Sequence, residues 1–137
     1  MRIAPGAHYP GRAGVCGAAA VLLLMQGATA APIGYDGVYR GTTTLTRGDD
    51  SVCGKTSYPT SISIVNGQFN IVWDPVRHFG VNLVVEQDGS FSGSQMYMPT
   101  ARAQPSQLKA TGRVAGNALE AHVEGQYCAR DYHLTKG

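Results

Sequence analysis

The chain has no apolar run long enough to cross a membrane as a helix. Its longest, Val15 to Met25, is eleven residues, where a spanning helix needs about 20. It has no cluster of basic residues, so it lacks the electrostatic footprint of a nucleic-acid binder. It has a single tryptophan and three cysteines in 137 residues, none of them in a C-x-x-C. That disfavours a thioredoxin-like redox pair and a thiolate-rich zinc site. No G-x-S-x-G is present, so the nucleophile elbow of a serine hydrolase is missing. No segment carries apolar residues at a sustained helical spacing.

What is present begins with a basic, acid-free stretch from Met1 to Gly14 that contains Arg2 and Arg12. The short apolar run follows, then Gln26-Gly27-Ala28-Thr29-Ala30, ending in small-x-small. That order predicts a secretory signal peptide over residues 1–30, cleaved after Ala30. The expected mature chain, residues 31–137, is one domain with nine basic and nine acidic side chains. It has no membrane span, and its expected location is periplasmic or secreted. Export removes Cys16 and leaves Cys53 and Cys128. In an oxidising compartment two remaining cysteines read as a disulfide, with two free thiols or half a metal site as the alternatives.

Along the mature chain the apolar residues alternate with period two, and turn residues separate the runs. The predicted strands cover Val38–Arg47, Thr60–Val65, Gln68–Asp74, Gly80–Glu86, Ser90–Met98, Gln107–Val114, Ala118–Glu124 and Gln126–Thr135. Asn66-Gly67 between two β-rich runs is a strong hairpin signal, and Asp88-Gly89 and Gly116-Asn117 mark two more. The third hairpin predicts an inward set of Leu108, Ala110, Gly112 and Val114 paired with Leu119, Ala121 and Val123. The segments 48–59, 74–79 and 99–106 read as irregular.

The expected architecture is therefore all-β: a small eight-stranded antiparallel up-and-down barrel, with a two-sheet β-sandwich as the alternative. Closure is suggested by the cysteines. Cys53 follows the first strand and Cys128 opens the last, and these two places are neighbours if the last strand pairs with the first.

Asp36-Gly37-Val38-Tyr39-Arg40-Gly41 reads D-G-x-Y-x-G immediately after the export signal. With Asp88-Gly89 and a closing Cys128 followed by Tyr132-His133-Leu134, this layout resembles small exported proteobacterial β-domains, many without assigned function. In outline it also looks like the calycin-type barrels: avidin-like and lipocalin-like folds and the periplasmic metalloprotease inhibitors. The resemblance implies a barrel and an exported location. It names no ligand.

The residues offer three functional readings. The aromatic side chains favour a binding module for a small molecule, because barrel mouths with apolar walls and a few placed polar groups are common ligand sites. Trp73, Arg77, His78 and Phe79 gather around one loop and Tyr97 approaches another, beside Met96 and Met98, so these five form the candidate ligand site. The same aromatics could instead fill the interior, since eight-stranded barrels are just wide enough to pack with side chains. The second reading is an inhibitor or a partner of an envelope or extracellular protein, working through Ala31–Asp36 and Pro99–Ser106. The third is a small hydrolase using His122 or His133 with a nearby acid. Glu120, His122 and Glu124 alternate against Leu119, Ala121 and Val123 and so belong to the wet side of their strand. His133 is expected on the opposite side. Asp49-Asp50 falls far short of a calcium ligand set. No catalytic residue, metal or cofactor is expected.

Overall fold

A computed structural model describes residues 33–76, 78–98, 102 and 104–137. The expected signal peptide, with its cleavage site, lies outside the described residues, as does Arg77. The elements follow the sequence pattern closely. A short 3-10 turn, Ile33–Tyr35, leads into β1 (Gly37–Arg47). A four-residue helix α1 (Asp50–Cys53) precedes β2 (Ser57–Ile64), β3 (Gln68–Asp74), β4 (Phe79–Val84), β5 (Ser90–Tyr97), β6 (Ser106–Ala115), β7 (Ala118–Glu124) and β8 (Ala129–Lys136).

Turn chemistry explains why the chain reverses where it does. Asn66 and Gly67 both take left-handed φ values, 53° and 72°, the requirement of the tight primed turns that match strand twist. The Asp36 carboxylate adds a tertiary clamp on this turn, accepting from the amides of Asn66 and Gly67 at 2.8 Å each. Before β2, Asp49 caps α1 by accepting from the Ser51 amide at 2.8 Å. Interaction with the Ser51 side chain first, and its amide second, holds the Asp49 carboxyl below the usual aspartate range and gives it a structural use. The sequence pattern showed no helix here, because four residues cannot display a helical period.

The strands form two antiparallel sheets. Six pair in the order β2-β1-β8-β7-β6-β5, and β3 pairs with β4. The expected pairing of first and last strands is present: Thr43 lies opposite Tyr132 on β8 and opposite Tyr58 on β2. The expected closed barrel is not found: no ladder joins β4 to β5, and β2 meets β3 only at the Val65–Gln68 bridge, so the turns at Asn66-Gly67 and Asp88-Gly89 pass the chain between sheets instead of closing the expected hairpins. Side chains bridge the β4–β5 seam. Phe69 of β3 meets Phe91 of β5 edge-on, with ring centroids 4.9 Å apart. At Gly93 on β5, a Cβ would come within 2.8 Å of Leu83 on β4, so the missing side chain is what lets β5 pass.

Both sheets turn their apolar sides to one core. Tyr39, Ile62, Ile64, Phe69, Ile71, Val81, Leu83, Val85 and Phe91 meet the predicted set Leu108, Ala110, Val114, Leu119, Ala121 and Val123. Burying a side chain such as Ile71 or Leu119 contributes roughly 1.5–3 kcal/mol. Among the described residues no helix is long and apolar enough to cross a membrane.

The Cys53–Cys128 disulfide is formed, with Cα atoms 5.7 Å apart and 75 positions separating them in sequence. It ties the end of α1 to the residue preceding β8, and indicates a non-reducing compartment. The last strand starts at Ala129, three residues later than the pattern predicts. This leaves Gly125 to Cys128 as a turn, closed by a hydrogen bond from the Gly125 amide to the Cys128 carbonyl at 2.8 Å.

Candidate functional site

The disulfide brings two turns, at residues 52–54 and 125–128, to one end of the molecule. There they meet the end of β3, the end of β5 and the start of β6, around a cleft of about 400 Å³. Its walls include Trp73, Tyr97, Leu108, Tyr127 and the disulfide itself. Three of the most exposed large apolar side chains stand on it: Val52 is 75% exposed, Val76 87% and Tyr127 64%. A soluble domain rarely gathers apolar surface at a concavity without a use for it.

Charge in the cleft is sparse. Asp74 is the single acid among the described lining residues and Arg130 the single cation. Asp74 is turned to its own turn and its neighbour: Oδ1 accepts from the Val76 amide and Oδ2 from the Tyr97 hydroxyl, each at 3.0 Å. Arg130 is only 4% exposed. Its Nη2 donates to the carbonyl oxygens of Cys53 at 2.9 Å and Lys55 at 2.6 Å. Its guanidinium carbon lies 4.8 Å from the centroid of the Tyr58 ring, within cation–π range.

Of the five residues predicted as the ligand site, Trp73 and Tyr97 line this cleft. Phe79 is one step removed and packs on Tyr97, with ring centroids 4.8 Å apart. His78 is exposed at the turn before β4, in a left-handed conformation with φ 53°, and is not part of the lining. Arg77 lies outside the described residues. Sequence reasoning missed Val52, Tyr127 and Arg130. The disulfide itself, once inferred, places Val52 and Tyr127 together, since each neighbours a cysteine. Nothing in the sequence pattern marked Arg130, a charged residue, for a buried position.

No protein-family model matches the chain, and neither curated proteins nor solved structures show a match. The cleft therefore has to be read from its own residues.

The histidines form a second group, on the outer side of β7 and β8. His122 Nδ1 donates to Asp131 Oδ1 at 2.6 Å, and Nε2 lies 3.8 Å from Glu124 Oε2. His133 Nδ1 is 3.7 Å from Glu120 Oε1. The expectation for His133 is corrected here: it is exposed, on the same side as His122 and opposite Glu120 in register. Tyr132 and Leu134 point into the core, and a strand phase that buries Arg130 sends His133 to water. The His122 pairs are half-exposed and the His133 pair more so, and they border a shallow groove that also takes in Thr111 and Arg113. Among the described residues no group of three His, Cys, Asp or Glu side chains is placed to hold a metal ion.

Proposed function

We propose that this protein is an exported, non-enzymatic binding module of the periplasm or the extracellular space. In this reading it belongs with the small exported β-domains that its layout resembles. The cleft beside the disulfide receives a small, largely apolar molecule with an aromatic portion. The observation that supports this most is the convergence of Trp73, Tyr97, Tyr127, Val52 and Val76 on one concavity. Aromatic walls supply contact area and preferred ring geometries to such a ligand.

Trp73 is the chain's single tryptophan and lines the cleft, so its fluorescence is a direct readout. Titrating the oxidised protein with phenylbutanol is expected to change Trp73 emission saturably. A saturable change that disappears in the Trp73-neutral test of substituting Tyr127→Ser and Val76→Ser supports the site. No saturable change at any concentration below the solubility of the alcohol overturns it.

A second reading, an inhibitor or envelope-protein partner, draws on Met96 and Met98. Both are half-exposed, at the point where β5 runs towards the 99–106 segment, and exposed methionines adapt to varied partners. That segment and Ala31–Asp36 fall partly outside the described residues.

A further inference from the structure

We infer that the ligand of this cleft carries a carboxylate, and that Arg130 is the residue that anchors it. This inference rests on the cleft being a binding site. The geometry around Arg130 carries it. The guanidinium is buried, and among the described residues no carboxylate is paired with it. Nη2 is held by two main-chain carbonyls and the plane lies over Tyr58. Nη1 has no hydrogen-bond partner. Such a fork is fixed in position before anything binds, with a donor left over.

A second observation points to the same place. The other buried side-chain polar atoms without a partner, among the described residues, are the hydroxyls of Thr43 and Tyr132. Thr43 and Tyr132 are opposite one another across the β1–β8 ladder, and Arg130 is two residues from Tyr132 on the same inward series. Unpartnered buried polar groups are rare in folded proteins. Of these three residues Arg130 is the one that lines the cleft.

A carboxylate fits this set best among simple head groups. It carries a full negative charge and accepts strongly, which suits a fixed guanidinium whose Nη2 is already taken by two carbonyls and whose Nη1 is left to donate. One fixed cation calls for one negative charge. The aromatic and aliphatic walls then take the remainder of the molecule, which makes the ligand an amphipathic aryl or alkyl acid.

The test compares three ligands of one size on the oxidised, unaltered protein at neutral pH and low salt, read by Trp73 fluorescence. They are phenylbutyrate, phenylbutyramide and phenylbutanol. Phenylbutyrate is expected to bind about tenfold or more tightly than the two neutral compounds, in line with a charge-assisted hydrogen bond. Equal binding of all three, or tighter binding of the neutral pair, overturns the carboxylate and leaves the cleft standing. Binding of none overturns both. Arg130→Met is expected to erase the preference while retaining phenylbutanol binding, and a variant that keeps the preference overturns the role of Arg130. If Arg130→Met does not give the native near-ultraviolet dichroism, the comparison on the unaltered protein decides alone.

Discussion

Asp36 and Gly67 are 31 residues apart in sequence and joined by a hydrogen bond of 2.8 Å from the Gly67 amide to the Asp36 carboxylate. The second carboxylate oxygen takes the Asn66 amide. The acid at the entrance of β1 thus holds the turn that starts the β3–β4 sheet. Asp36→Ala leaves two amide donors without their charged acceptor. It is expected to destabilise the protein by about 2–3 kcal/mol, measured by urea unfolding, with Asp36→Asn recovering part of the loss.

The disulfide closes a loop spanning 75 positions. Replacing both cysteines, Cys53→Ser with Cys128→Ser, is expected to lower stability by up to roughly 4 kcal/mol, the chain-entropy value for such a loop. Because both cysteines line the cleft, phenylbutyrate affinity should fall as well, even at temperatures where the variant remains folded. Thermal unfolding and the Trp73 titration on the same sample separate the two effects.

A methyl group at position 112 has nowhere to go. Its Cβ would meet the Glu120 carbonyl oxygen and lie 2.8 Å from Phe91 Cε2. Gly112→Ala is expected to cost about 1–3 kcal/mol through overpacking, visible as a lower urea midpoint at unchanged slope.

Burial pushes the Tyr132 phenol up to about 12, whereas the unfolded chain titrates this group at about 10. The folded state therefore holds the proton more tightly. The stability tied to it is fully present below pH of about 10 and is lost as pH rises towards about 12, on the order of 2 kcal/mol in all. Urea unfolding across that alkaline range should show this decline, and Tyr132→Phe should flatten it.

His122 and Asp131 are half-exposed, so Asp131→Asn is expected to change stability by no more than about 1 kcal/mol. Nitrophenyl acetate should hydrolyse at the buffer rate in the presence of the protein, with His122→Ala making no difference. Hydrolysis above that rate, lost in His122→Ala, would restore the hydrolase reading.

Much of this architecture was legible because local chemistry and tertiary structure agree. Gly116-Asn117 with the alternation on either side specifies the β6–β7 hairpin without help from distant residues, whereas Asn66-Gly67 marks a reversal whose two strands go to separate sheets. The pairing of β1 with β8 was legible only through the cysteines, which carry long-range information that alternation does not. Absence of a ladder between β4 and β5 left no trace, since each strand still alternates as though paired. In the cleft, Trp73 and Tyr97 were visible as aromatics near strand ends. Arg130 was not, because a buried cation contradicts the rule that sends charge to water. The same exception misplaced His133, its neighbour by three.

A closed barrel has its girth dictated by strand count and stagger. At the seam between β4 and β5 that dictation lapses. The spacing there is set by Leu83 against Gly93 and by Phe69 against Phe91, contacts that single substitutions can lengthen or shorten without moving any strand out of register. How closely the two sheets meet there is thus set by side chains, whereas the order from β2 round to β5 is set by hydrogen-bonded ladders.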